Sequence, residues 1–209
     1  MLITISRQYG AGGSELAALV AGRLGWRVVD NELIERVAAR AGLTPEDVAQ
    51  REERVSTFIE RLARTVVAAT PELVVPPEAG GTAPTLSEED LVRITEHVVE
   101  EIAAEGRVVL VGRAAPAVLA QERDAIHVKV VAPRDWRIRV VMGRLGIPQD
   151  EATKLTDETD RNRARYHRQH YQRDWHDPAN YHLVLNTAAL GLEGSAEMIV
   201  ARAKALGWA

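Results

Sequence analysis

The segment Ser6-Arg7-Gln8-Tyr9-Gly10-Ala11-Gly12-Gly13-Ser14 has the composition of an anion cradle. Closely spaced glycines let a backbone take positive φ angles and turn its amide groups inward with no side chain in the way. A helix beginning at the end of such a turn adds its unpaired N–H groups and the positive end of its dipole. The chemistry this suits is the holding of phosphate groups. The plainer alternative is a tight strand-to-helix turn that binds nothing.

Two phosphate motifs compete for the turn. A dinucleotide fingerprint, G-x-G-x-x-G, starting at Gly10 meets Glu15 where its third glycine belongs. Asp30 lies 20 residues past Gly10 and imitates the ribose-binding acid of that motif. The P-loop pattern, G-x-x-x-x-G-K-[ST], places Arg7 at its first glycine, Gly12 at its second, Gly13 at its lysine and Ser14 at its hydroxyl. The spacing favours the P-loop, yet the lysine that bridges the outer phosphates is missing. Arg7, on the same turn, is the nearest cation that can replace it.

A second concentration of chemistry lies between Asp160 and Asp174. It holds Arg161, Arg163, Arg165, Arg168 and Arg173, five arginines against two acids in a chain of net charge -4. One reading is a solvated helix laced with i,i+4 pairs such as Asp157–Arg161. The other is a lid whose guanidinium groups clamp phosphate bidentately, and the glycine turn tips the balance toward it. Gly112-Arg113 follows an apolar run, so Arg113 emerges at the ligand edge of a sheet or stands as an isolated surface residue. Asp30 binds a hydroxyl or magnesium, or caps a helix starting at Asn31. Tyr171, Trp175 and Tyr181 stack on a base or simply pack the lid. The six histidines show no metal-ligand spacing, and no Ser-His-Asp arrangement is signalled.

These residues need a frame. Leu2–Ile5, Trp26–Val29, Val108–Val111, Ile126–Val131 and Leu183–Leu185 read as strands, short and rich in apolar or β-branched residues. Helical spacing follows the turn as far as Leu24, with Gly25 as the stop. Further helices are expected over 33–41, from Pro45 toward Ala69, from Ser87 to about Glu105, over 133–145, over 148–171 as one helix or two, and over 193–206. Four prolines and two adjacent glycines make 70–87 an exposed loop. Alternation of strand and helix predicts a mostly parallel sheet covered on both faces, with ligands beyond the carboxyl ends of its strands. With 209 residues, one domain over 1–209 is expected, containing a helical insertion or acceptor-binding region at 43–105 and a lid region at 148–177.

Composition removes whole classes of function. The absence of cysteine excludes disulfides, thiolate metal sites and cysteine nucleophiles. The net charge gives no global pull toward nucleic acid or an anionic membrane, and no apolar run is long enough to span a bilayer. The amino terminus lacks a leader pattern, so a cytoplasmic protein is expected, a monomer or homodimer with small-molecule nucleotides as its partners.

The segments ITISRQYGAGGSELA, RVVDNELI, VVLVGRAA and TDRNRARYHRQHYQRDWHDPANYHLVLNT, spread over residues 3 to 187, resemble the cytidylate kinase-like family. The resemblance implies a P-loop kinase-like three-layer α/β/α fold. It also implies a nucleoside monophosphate kinase that moves the γ-phosphate of ATP to CMP or dCMP, with Mg2+. On that pattern Gly10, Ala11, Gly12, Gly13, Ser14 and Glu15 wrap the ATP phosphates and Ser14 helps hold the metal. Arg7, Arg113, Asp160 and Arg163 form the catalytic set, the last two matching the family's D-x-x-R, while Asp30, Arg161, Arg168 and Arg173 are candidates for substrate. The family's G-R-D ends here in Ala114, and its P-loop lysine is Gly13. A non-catalytic nucleotide-binding or regulatory protein, a kinase of another small acceptor, and a dinucleotide-dependent oxidoreductase are the rival readings.

Overall fold

The computed structural model describes residues 1–30 and 88–208. The helices expected over 33–41 and 45–69 and the loop over 70–87 lie outside the described residues. Strand β1 (Leu2–Arg7) runs through the turn into helix α1 (Gly13–Leu24). Gly25 ends that helix in the left-handed conformation, its N–H reaching the Ala21 carbonyl. There follow β2 (Arg27–Val29), α2 (Glu88–Glu105), β3 (Val108–Val111), the short α3 (Ala115–Val118) and β4 (Ala125–Val131). Helices α4 (Arg134–Leu145) and α5 (Gln149–Tyr171) come next, then a 3-10 turn at Pro178–Asn180, β5 (Leu183–Asn186) and α6 (Thr187–Ala205).

Among the described residues all strand pairs are parallel, in the order β2-β3-β1-β4-β5. Strand β1 therefore sits between β3 and β4. In the dinucleotide fold the first strand lies beside the second, so the strand order decides against that reading of the glycine turn. Because β1, β3 and β4 have neighbours on both sides and helices over both faces, their residues are almost all buried, as the unbroken apolar run of β3 demands. Ile3, Ile5, Val109, Val111, Ile126, Val128 and Val130 pack one face against Leu16, Ala17 and Val20 of α1 and Ala196, Ile199 and Ala203 of α6. Leu2, Val108, Leu110 and Ala125 pack the other against α2 and α3, through Leu91, Val98, Ile102 and Ala115.

Two local differences from the sequence reading have physical causes. Helix α6 begins at Thr187, not Glu193, because Asn186 caps its start by accepting from the Ala188 N–H at 3.1 Å. Gly191, at φ 69° and ψ 169°, then breaks the helix, which hid its first turn from a periodicity count. The 148–171 region is one helix, α5, whose interior carries no glycine or proline to divide it.

Candidate functional site

The turn between β1 and α1 is held from every side. Gly10 and Gly12 have φ of 76° and 79°, and Gly12 caps α1 in the left-handed conformation. A Cβ at Gly10 would stand 2.9 Å from the Arg137 carbonyl oxygen, and one at Gly12 would stand 2.8 Å from Leu192 Cδ2. The Gln8 N–H donates to the Val130 carbonyl at 3.0 Å, and the Thr187 hydroxyl donates to the Ala11 carbonyl at 2.7 Å. The Ala11 side chain is buried and that of Glu15 is exposed on the first turn of α1. The Ala11 N–H is used within the turn, donating to the Gln8 carbonyl at 3.2 Å, so the first turn of α1 is where unpaired amides can meet an anion.

At the lysine position the structure explains the glycine. An ideal Cβ on Gly13 would come 2.6 Å from Arg7 Cδ and 2.7 Å from Arg7 Cβ. The stem of Arg7 fills the space a residue-13 side chain would leave by. Its guanidinium stands 3.5 Å from Asp30 Oδ1, and the other carboxylate oxygen of Asp30 accepts the Ser14 hydroxyl proton at 2.7 Å. A hydroxyl and a carboxylate side by side at the foot of an anion cradle form a hard-oxygen donor set, which fits Mg2+ with phosphate oxygens completing its shell.

Helix α5 meets this turn through the D-x-x-R pair. Asp160 Oδ1 accepts the Tyr9 N–H at 2.8 Å and Oδ2 accepts from Arg137 at 2.7 Å. Arg137, buried on α4, also donates to the carbonyls of Tyr9 at 2.9 Å and Ala132 at 3.0 Å. Arg163 donates to the Arg7 carbonyl at 2.7 Å. Both members of the pair thus grip the backbone of the turn, and Asp160 has each oxygen engaged there.

Arg163 also lines a cleft together with Ser6, Arg7, Gly112, Arg113, His167 and Trp175. Arg113 is no isolated surface residue: it is only 8% exposed. Gly112, Arg113 and Ala114 take φ of 79°, 52° and 51° in succession. A non-glycine residue in that region costs about 1–2 kcal/mol, so the rest of the structure must impose the sharp turn that delivers Arg113 to the ligand edge of the sheet.

Arg161 and Arg168 are not brought to this cleft. Both are exposed, and Arg161 bonds the Asp157 carbonyl on its own helix at 3.2 Å. The expected Asp157–Arg161 ion pair is replaced by a two-pronged Arg134–Asp157 contact at 2.8 and 2.5 Å between α4 and α5, and that contact holds the Asp157 carboxyl below its ordinary range. Arg173 sits at the rim, 3.5 Å from the carbonyl of Pro116. Trp175 is packed, 2% exposed, with its indole N–H on Ser6 Oγ at 2.9 Å, and Tyr181 donates to the Trp175 carbonyl at 2.9 Å.

Sequence reasoning missed Arg137, Thr187, His167 and Lys129. The last carried a signal: His127 and Lys129 alternate with apolar residues in a strand expected to be buried on both faces. They are register partners of Thr4 and Ser6, and both pairs are hydrogen-bonded, at 2.8 and 3.3 Å.

The family model of the cytidylate kinase-like family matches residues 2–189. The chain belongs to that family. Among solved structures, this family member is similar to an uncharacterized protein from Eubacterium ventriosum, with 18% identity, 97% of each chain covered and a TM-score of 0.68. It is also similar to shikimate kinase from Bacteroides thetaiotaomicron, with 15% identity, 99% of this chain and 98% of that chain covered and a TM-score of 0.54. The cytidylate kinase-like chain therefore has a P-loop kinase-like fold, as its sheet and turn already indicate. Its sequence matches no curated protein significantly.

Proposed function

We propose that this chain is a nucleoside monophosphate kinase that transfers the γ-phosphoryl group of ATP to CMP, dCMP or a related acceptor. The observation that carries the reading is the convergence of three phosphate-directed features at one sheet edge. The glycine turn ends in the start of α1, the Ser14–Asp30 pair stands at its foot, and Arg7, Arg113 and Arg163 line the adjoining cleft.

Phosphoryl transfer asks for alignment, charge neutralisation and exclusion of water more than for covalent chemistry. The turn from Gly10 to Glu15 wraps the donor phosphates, with the unpaired amides at the start of α1 directed to them. Ser14 and Asp30 are the residues that would hold Mg2+, which when bound would supply charge neutralisation at the donor phosphates. Arg7 takes the part of the absent lysine, and Arg163 and Arg113 orient the acceptor phosphate in the cleft. An acceptor oxygen attacks the γ-phosphorus, the bond to the β–γ bridging oxygen breaks, and ADP leaves with that oxygen.

Gly13 at the lysine position favours one second reading, a nucleotide-binding protein without transfer activity. Thermal stabilisation by ATP–Mg2+ and by CMP, followed by an ADP-release assay over nucleoside monophosphates and small hydroxyl acceptors such as shikimate, separates the two. Stabilisation with acceptor-dependent ADP release supports the kinase. Stabilisation with no acceptor yielding ADP supports the second reading, and the absence of ATP stabilisation overturns both.

A further inference from the structure

Behind the floor of the cleft lies a buried lysine that the proposed mechanism does not use. Lys129 is 3% exposed on β4. Its ammonium nitrogen lies 3.3 Å from Ser6 Oγ and 3.0 Å from the centre of the Trp175 ring. Ser6 and Trp175 both line the cleft, so one layer of side chains separates the lysine from whatever occupies it. Nothing in the packing of the sheet requires a lysine there, since Ala125 on the same strand face packs into an apolar cluster.

The surroundings leave the amine poised. Burial pushes Lys129 down from 10.5 to about 6. Asp160 and Asp174 favour its charged form, while Arg163 and Arg137 oppose it. The Trp175 face also favours the ammonium, as does the Tyr181 ring at 5.3 Å. His167 packs near Trp175, with ring centres 6.4 Å apart, and lines the cleft beside Tyr166. A dianion entering beside Arg163 offsets the larger of the two opposing charges and favours the ammonium.

We propose that Lys129 is a positioning residue that takes up a proton when an anionic group occupies the cleft, so that the buried cation is present with the anion and absent without it. Once protonated, it holds Ser6 and Trp175 in place beneath the bound group and adds attraction in a region of low dielectric. The inference rests on the reading of the cleft as a phosphate site, but it does not need phosphoryl transfer.

Sulfate is the probe, because it stays a dianion between pH 6 and pH 9 and brings no titration of its own. Calorimetry at about pH 8 in buffers of different ionisation enthalpy counts protons taken up on binding. Wild type is expected to take up roughly half a proton or more per sulfate, and its affinity should fall up to about tenfold per pH unit above pH 6. Lys129→Arg, charged throughout, should bind without uptake and without that pH slope, and Lys129→Met should bind weakly and without uptake. The Lys129 Nζ chemical shift in wild type, with and without sulfate, reads the proton directly should either variant fail to fold.

Sulfate binding with no uptake, or uptake persisting in Lys129→Met and therefore belonging to another group such as His167, overturns the inference while leaving the phosphate cleft intact. No sulfate binding at all overturns both. Uptake in a protein that shows no kinase activity leaves the inference standing and removes the kinase reading alone.

Discussion

Arg7 and Gly13 exclude one another: the arginine stem lies where a residue-13 Cβ would emerge. This exchange yields the first prediction. Arg7→Ala should lower turnover about 10³-fold, in line with an arginine at the transferred phosphoryl group. Gly13→Lys alone should not enhance activity, because its side chain must displace Arg7. The double variant Arg7→Ala, Gly13→Lys restores a lysine with room to extend, and should recover much of the loss relative to Arg7→Ala. ADP release and ATP-induced thermal shift measure both. A double variant no better than Arg7→Ala would show that Arg7 is not the replacement cation. Asp160 gives a second prediction of a different kind. With its oxygens on Tyr9 and buried Arg137, Asp160→Asn leaves Arg137 without its counter-charge, at a cost of about 3–5 kcal/mol. Denaturant unfolding of the variant, and a double-mutant cycle with Arg137→Met, should show the pair strongly coupled.

At the scale of elements, the strand–turn–helix unit was legible because its signals are local. A β-branched run, glycines at fixed spacing and a closing Gly25 follow one another along the chain, and each reports its own backbone. The apolar strand β3 and the helical spacing of α4 were legible for the same reason. What escaped the sequence depends on contacts between distant residues. Thr187 reaches back to Ala11, Arg137 reaches Tyr9, and the D-x-x-R of α5 closes on the turn; no pattern along the chain records such distances. The arginine-rich segment shows the boundary well. Composition revealed its charge excess, but only the helical phase of α5 separates Arg163, turned to the cleft, from Arg161 and Arg168, turned to solvent. A third prediction tests the fit of the turn itself. Gly10→Ala meets a backbone carbonyl and Gly12→Ala meets the end of a leucine side chain, both at positive φ. Each should destabilise by about 1–2 kcal/mol from strain alone, and Gly10→Ala should cost more, since Leu192 can shift and the Arg137 carbonyl cannot. Thermal melts of the two variants should fall in that order.

For the whole molecule, the buried polar stripe across β1 and β4 sets how stability responds to pH. Unfolded, Lys129 keeps its proton up to its ordinary 10.5; folded, it loses it above about 6. Between those values the unfolded chain binds more protons, so this residue makes stability rise with pH. The contribution is fully present above about 10.5 and lost as pH falls toward 6. His127 acts in the same sense lower down: burial first, and then the neighbouring His182, push it from 6.5 to about 4. Its contribution is complete above 6.5 and lost as pH falls through about 4. A sheet that buried leucine or methionine at these positions would have no such dependence. Lys129 therefore costs stability near neutral pH, which is expected of a side chain kept for a site and not for the core. Lys129→Met should raise the melting temperature at pH 7, where the lysine costs on the order of a few kcal/mol. At about 2–4 °C per kcal/mol for a chain of this size, the gain should be roughly 5–10 °C. It should shrink steadily as pH rises toward 10, because the wild-type penalty disappears there while the methionine does not titrate. Melting curves of both proteins from pH 6 to pH 10 measure it. Parallel curves across that range would mean that Lys129 keeps its proton in the folded state.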